Sequence, residues 1–242
     1  MAAADGDWVH FLAGDDFVRP DFYRRSLELA EQYPECGLCS AYVQDVDMNG
    51  ALQGDIRTPA GRDTAGYISP HEVVERLYRV GSWFEGVSCL LKRTSLERIG
   101  GFDPQLQGVA DAFCYWTISA REGACFIPEV LAFKRDVWKG CGFGLYSDSA
   151  NAQRIWYRVE SLMRNQSPRL FPNKAISRFK KRWEFEQKHN LIMNAYLRDC
   201  NDHHTYADIK KYILTKVFEI YLKPFDVVAS IENKMRKVFG GA

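Results

Sequence analysis

The 242-residue sequence contains no apolar run long enough to cross a bilayer as a helix. Its N-terminus lacks the basic segment followed by an apolar one that marks a secretory signal peptide. It has no internal repeat and no low-complexity tract, which excludes repeat architectures. These absences predict a cytoplasmic globular chain, long enough for one large domain or for one domain with a helical appendage.

The seven cysteines lack the regular spacing of a disulfide framework, and their number is odd. Only Cys36 and Cys39 lie close together along the chain. This pair has no second pair to complete a zinc site, and Cys39 lies in the apolar run 37–43. We therefore expect a reducing compartment and burial in a strand rather than metal binding.

The net charge of +1 hides an asymmetry along the chain. Residues 1–168 carry 17 lysines and arginines against 23 aspartates and glutamates, whereas residues 169–242 carry 15 against 8. A basic segment beside an acidic body suits an anionic partner such as a membrane surface, a nucleic acid or a sugar nucleotide. The structural alternative is a solvated helical surface.

Apolar periodicity divides the chain into an α/β body and a helical tail. Strand patterns cover residues 8–12, 36–46, 87–92 and 125–133, and helical patterns cover residues 20–33, 94–99, 111–123, 151–164, 175–198 and 206–238, with a further helix opening at Ser69-Pro70. We expect a mixed α/β domain over residues 1–145, followed by a basic, amphipathic helical extension over residues 146–242.

Two adjacent aspartates, Asp15 and Asp16, follow the first apolar run. In open α/β sheets, ligands bind beyond the carboxyl ends of the strands, and Mg²⁺ is typically held by one or two carboxylates plus substrate phosphates. This position therefore indicates a metal site for a phosphate-bearing substrate. The alternative is that one of the two aspartates caps the helix that Pro20 opens.

Three separated segments resemble family 2 glycosyltransferases, enzymes of the GT-A fold. They are Gly6–Pro20, Ser88–Asp103 with its ending Ile99-Gly100-Gly101-Phe102-Asp103, and Asp111–Leu131. The resemblance covers residues 5–135 in the order and spacing of the family. It implies a partial GT-A-like, Rossmann-like sheet with flanking helices.

By this resemblance, the chain is expected to be a transferase that moves a sugar from a nucleoside-diphosphate sugar to the hydroxyl of a glycan or lipid-linked acceptor. Asp15 and Asp16 would bind the Mg²⁺ or Mn²⁺ that bridges the donor diphosphate, and Asp111 would deprotonate the acceptor. The metal would stabilise charge on the departing diphosphate while the carboxylate accepts the proton. Direct displacement would invert the anomeric centre, and no nucleic acid partner is implied.

The sequence departs from the family pattern at several positions. Ala13 replaces the first aspartate of the usual motif, and Ala110 replaces the acidic residue that often precedes the base. Asp136 and Val137 follow Arg135 at the place where some relatives have a metal-binding histidine, and we expect His10 to be a satisfied core or surface residue. The alternative role of Asp111 is a helix N-cap, which would lower its pKa.

The resemblance begins at the metal-binding strand of the family, so the preceding half that grips the base and ribose has no counterpart here. Without that half, the first strand would form a sheet edge with an exposed apolar surface. The chain is then either a fragment, or its tail or another chain covers this edge. The competing interpretations are a non-catalytic remnant that acts as a binding or assembly module, and another metal-dependent phosphotransfer enzyme.

The helical pattern over residues 206–238 has two apolar stripes flanked by lysines. This pattern suits a helix that lies on anionic lipid, which would bring an enzyme to a lipid-linked acceptor through peripheral membrane contact. The alternative, which we favour, is that the stripes pack on the body or cover the sheet edge.

Overall fold

The computed structural model describes residues 4–57, 63–135, 148–165, 170–184 and 187. The chain divides into two compact units, Met1–Trp183 and Glu184–Ala242, and almost all described residues belong to the first. The predicted helix over 206–238 lies outside the described residues, as do most of the helix predicted over 175–198 and the basic stripe that suggested membrane contact. The domain boundary after residue 145 stays a prediction.

A mixed sheet with flanking helices forms the first unit. Its strands are β1 (Trp8–His10), β2 (Phe17–Val18), β3 (Leu38–Val46), β4 (Leu52–Arg57), β5 (Gly66–Ile68), β6 (Leu90–Lys92) and β7 (Ala124–Arg135). Its helices are α1 (Phe22–Gln32), α2 (Pro70–Val80), α3 (Arg93–Arg98), α4 (Ala110–Glu122), α5 (Ser149–Asn165) and α6 (173–184), with 3₁₀ turns at Gly86–Ser88 and Pro104–Val109. The α/β fold class is confirmed. Among these helices none is both long and apolar enough to span a membrane.

The parallel pair β3–β7 forms the centre of the sheet. The strand order is β1-β6-β3-β7-β2, with β4 paired to β3 and β5 paired to β7, and these outer pairs are antiparallel. The central register runs from Leu38 opposite Ala124 to Val46 opposite Arg135. Both central strands therefore end at the same edge of the sheet, where ligands bind in open α/β folds.

The β3–β7 ladder contains a bulge in β7. Ala41 pairs with Ile127, whereas the next residue, Tyr42, pairs with Val130. The extra residues include Pro128, which has no N–H to donate to a ladder and is tolerated in a strand at such a bulge. The bulge thus shifts the register of the second half of β7 against β3.

Alternate residues of the central strands face two different cores. The core that includes α2, α4, α5 and α6 contains the sheet residues Leu38, Leu91 and Phe126, and the core under α1 contains Cys39, Leu90 and Cys125. The sheet is therefore covered on both faces. Helix α5 contributes Ile155 and Trp156, both nearly inaccessible to solvent, to the larger core.

Strand β1 lies at an edge of the sheet, where it pairs with β6 and with no other described strand. It ends at His10 rather than at Leu12 because its partner Leu90 is the first residue of β6. The chain before Leu90 forms the 3₁₀ turn at Gly86–Ser88 instead of the strand predicted from residue 87. Phe11 and Leu12 then remain 37% and 39% exposed.

Gly123 ends α4 in a conformation that few other residues adopt. Its φ is +75°, and a Cβ at this position would lie 2.4 Å from the ring of Tyr67. The hydroxyl of Tyr67 donates to the carbonyl oxygen of Glu122, which fixes the ring against the end of the helix. The stop predicted for this helix therefore also permits β5 to pack closely against α4.

We expect Gly123→Ala to lower the free energy of unfolding by about 1–3 kcal/mol more than Gly50→Ala, measured by urea denaturation. Gly50 is a matched control because its φ is +85° while a Cβ there would meet nothing within 4 Å. Both variants bear the cost of a left-handed residue, about 1–2 kcal/mol, and only Gly123→Ala adds the clash. Equal losses would contradict the packing argument.

Candidate active site

The end of β7 contacts the acid pair that the sequence singled out and acts electrostatically on Asp111. The backbone N–H of Arg135 donates to Asp16 Oδ1 at 2.9 Å, and its Nε donates to the carbonyl oxygen of Asp15 at 2.8 Å. The preceding residue, Lys134, acts electrostatically on Asp111. Two adjacent residues of β7 therefore interact with the acid residues: Arg135 by hydrogen bonds to the acid pair and Lys134 electrostatically with Asp111.

Arg135 fixes the segment that carries the acid pair. Its guanidinium also donates to the carbonyl oxygen of Met48 and lies over the ring of Phe17, 5.8 Å from the ring centroid. Phe17 in turn pairs with Phe133 of β7 and stacks on its ring. The acid pair is therefore held against the sheet by backbone contacts, with the side chain of Asp15 exposed to solvent.

The helix after the acid pair starts later than Pro20 predicts. Helix α1 begins at Phe22, with Asp21 at its N-cap position. The reason is that the N–H of Arg19 donates to the carbonyl oxygen of Leu131 at 2.8 Å, which keeps the chain on the sheet up to that point. The acid pair therefore does not cap α1.

The donor atoms of the acid pair are compatible with a hard divalent cation. Carboxylate oxygens are the ligands that Mg²⁺ and Mn²⁺ prefer. Neither Asp15 nor Asp16 belongs to a group of three or more close His, Cys, Asp or Glu ligands within the described residues. Ala13 adds no carboxylate. The pair fits a cation held by one or two carboxylates together with substrate phosphates, rather than an all-protein cage.

Asp111 lies in the first turn of α4, where its Oδ1 accepts a hydrogen bond from the N–H of Ala112 at 2.7 Å. The N-cap position of this helix belongs to Val109, so Asp111 is not the N-cap residue. The 3₁₀ turn at Gly86–Ser88 approaches Asp111 closely. A Cβ on Gly86 would lie 3.4 Å from Asp111 Oδ2 and 3.2 Å from Tyr115 Oη. A side chain at position 86 would therefore contact both the Asp111 carboxylate and the Tyr115 hydroxyl.

Desolvation raises the pKa of Asp111 above the usual value of a carboxyl group. Backbone N–H donors and the charge of Lys134 act in the opposite direction but do not outweigh it. The residue as a whole remains exposed, so solvent reaches the carboxylate from one side. A raised pKa makes the ionised form a stronger base. This differs from the lowered pKa expected for an N-cap.

Glu85 and His10, which were not predicted as site residues, make contacts that hold the 3₁₀ turn at Gly86–Ser88 in place. The carboxylate of Glu85 lies 3.8 Å from Lys134 Nζ, and its carbonyl oxygen accepts from the hydroxyl of Ser88. His10 connects β1 to the same turn: Nε2 donates to the carbonyl oxygen of Val87 at 3.1 Å, while Nδ1 accepts from Tyr23 at 3.0 Å. Burial lowers the pKa of His10, consistent with a neutral ring. Its predicted role as a satisfied residue agrees with these contacts.

A cavity of about 420 Å³ opens along one face of α4, lined by Ala110, Phe113, Thr117 and Arg121. One wall is the segment 98–104, which includes the Ile99-Gly100-Gly101-Phe102-Asp103 sequence of the family resemblance. Arg158 lines it from α5, paired with Asp103 at 2.9 Å, and Asp111 is not among the lining residues. Clefts of this size hold small ligands.

Comparison with known proteins identifies the class of fold. Neither a family model nor a curated protein matches the chain. The structure matches 32 chains of solved structures. One of them is S. aureus TarS, residues 1–349, crystallised in complex with UDP-GlcNAc, with 12% sequence identity and a TM-score of 0.52. The match covers 80% of this chain and 57% of that one. The chain therefore has a glycosyltransferase-like fold and spans little more than half the length of this neighbour.

We expect Lys134→Met to raise the pKa of Asp111 further. The ammonium group favours the ionised carboxylate, so its removal leaves desolvation less opposed. The measurement is an NMR titration of the Asp111 side-chain carboxyl carbon, which needs no activity. The control is Lys174→Met on the exposed face of α6. An unchanged or lower value in Lys134→Met would contradict the proximity of the two groups.

Proposed function

We propose that this chain is a metal-assisted, inverting glycosyltransferase of the family 2 type, which moves a sugar from a nucleoside diphosphate to an acceptor hydroxyl. The observation that carries the proposal is the end of β7, where Arg135 contacts the acid pair and Lys134 acts electrostatically on Asp111. The glycosyltransferase-like fold supports it, since the structural neighbour TarS was crystallised with UDP-GlcNAc.

On the donor side, Asp15 and Asp16 would hold Mg²⁺ or Mn²⁺. A cation held there would supply positive charge that stabilises a departing diphosphate. Arg135 keeps Asp16 in place through its backbone N–H and brings a fixed positive charge to the same end of the sheet. The residues of this chain thus prepare a position for an anionic leaving group.

On the acceptor side, Asp111 would accept the proton of the attacking hydroxyl. Its raised pKa favours this transfer because the carboxylate gains more by taking up the proton. The charge of Lys134 opposes this rise in pKa and favours the ionised form. The cavity along α4, with its wall at residues 98–104, would receive part of a glycan or lipid-linked acceptor.

The second candidate is a binding module that retains the fold without turnover. One observation favours it: Ala13 leaves the acid pair one carboxylate short of the family motif. Both the binding module and the enzyme are expected to bind a nucleotide, but only the enzyme is expected to transfer a sugar. Two experiments therefore separate them.

The first experiment tests the donor side by calorimetric titration of UDP and other nucleoside diphosphates, with and without Mn²⁺. We expect metal-dependent binding that Asp15→Asn/Asp16→Asn weakens at least tenfold. Asparagine keeps an acceptor oxygen for the N–H of Arg135, so the loop should stay in place. The matched control is Asp5→Asn/Asp7→Asn, which removes two exposed acidic groups before β1. Binding that ignores metal or survives in the first variant would refute the assignment.

The second experiment tests Asp111 by measuring release of nucleoside diphosphate from a panel of sugar nucleotides, with glycans and lipid-linked sugars as acceptors. We expect Asp111→Asn to lower turnover by about 10²–10⁴-fold while nucleotide affinity is unchanged. Glu72→Gln is the matched control, since Glu72 is also an acidic residue in the first turn of a helix. If Asp111→Asn retains turnover, the residue is structural. If the wild-type chain binds nucleotide without transfer, the binding module is the correct function.

A further inference from the structure

Three buried cysteines lie together on the sheet face that α1 covers, away from the acidic residues described above. The sequence shows only the pair Cys36 and Cys39, and the fold adds Cys125. The three Sγ atoms lie within 4.8 Å of one another, and each residue is at most 1% exposed. Three thiols close together can form most of a metal-binding site, whereas two thiols alone cannot.

The backbone fixes the three cysteines from three separate segments. Cys39 and Cys125 are direct partners in the parallel β3–β7 ladder, so their side chains share a face of the sheet. Cys36 lies in the turn after α1, where its N–H donates to the carbonyl oxygen of Tyr33 at 3.0 Å. The sulfur atoms are therefore brought together by rigid elements, as a preorganised metal site requires.

The polar contacts around the cluster leave room for metal ligation. The Cys39 thiol donates to the carbonyl oxygen of Ser26 at 3.5 Å, and the Cys125 thiol donates to that of Leu29 at 3.9 Å. Thiols are weak donors, so little is lost when they are deprotonated. The Ser26 hydroxyl is fully buried and has no hydrogen-bond partner among the described residues. A buried hydroxyl of this kind is costly unless an acceptor such as a thiolate is present.

The charge near the cluster matches a divalent ion. Lys92 donates from Nζ to the carbonyl oxygen of Pro34 at 2.6 Å and acts electrostatically on Cys36. Three thiolates around a divalent cation leave one negative charge, which the ammonium group offsets. Around a monovalent cation they would leave two, which is costlier in a buried place.

We propose that Cys36, Cys39 and Cys125 form a zinc site that ties β3 and β7 to the turn after α1. Zn²⁺ binds Cys sulfur at about 2.3 Å, which puts tetrahedral sulfur ligands about 3.8 Å apart, within reach of these side chains by small rotations. Each zinc–sulfur bond replaces a thiol proton, which passes to solvent. No fourth His, Cys, Asp or Glu ligand lies in this group among the described residues, so one position is left for a small oxygen ligand.

The test begins with the full chain purified with reductant and without chelator. We expect about one zinc per chain by elemental analysis, and a rise in Tm when the metal-free protein is reloaded. Substitution with Co²⁺ should give a near-ultraviolet thiolate-to-cobalt charge-transfer band. A carboxylate site at Asp15 and Asp16 cannot produce this band, so the result is independent of the proposed sugar transfer.

Variants then assign the ligands. Cys36→Ala, Cys39→Ala and Cys125→Ala should each lose zinc and the cobalt band, whereas Cys89→Ala and Cys114→Ala should retain both. The last two are matched controls because they remove buried free cysteines outside the group. Circular dichroism checks that each variant is folded.

Three outcomes would overturn the proposal. The first is a wild-type chain that takes up neither zinc nor cobalt and shows no rise in Tm, a measurement that needs no variant. The second is zinc retained in all three ligand variants. The third is a disulfide between two of the three cysteines in the protein purified with reductant.

Discussion

The parallel pairing of β3 with β7 is the interaction on which the rest of the structure depends. One part of this ladder places Cys39 beside Cys125 under α1, and its other end places Lys134 and Arg135 beside the acidic residues. Because β3 and β7 lie between the two cores, their backbone cannot shift without repacking both faces. The thiol cluster and the candidate active site are thus two results of one strand register.

The sequence predicted the types of the main elements because their signals are local. The periodicity of residues 111–122 predicts α4, and Gly123 predicts its end. The apolar runs predict β3 and β7. The role of Arg135 was not predictable, since nothing near it in sequence indicates a contact with Asp16. The same applies to Cys125, which approaches Cys39 only after two distant segments pair.

Asp111 shows where a local rule is overridden by tertiary structure. A carboxylate at a helix N-terminus is expected to have a lowered pKa, and the backbone donors there do act in that direction. The 3₁₀ turn around Gly86 nevertheless packs against the same carboxylate, and the loss of water has the larger effect. The sequence predicted a strand from residue 87, so the turn that packs against Asp111 was not predicted.

The bulge at Pro128 has a consequence for how this protein tolerates changes in length. Side chains alternate across a strand, so Lys134 and Arg135 point to opposite faces of the sheet. The number of extra residues in the bulge sets which face of the sheet each of these two side chains takes. Removal of one residue there would exchange them, whereas removal of two would restore the arrangement. The placement of these two side chains therefore depends on the parity of a strand length, a property that substitutions alone never alter.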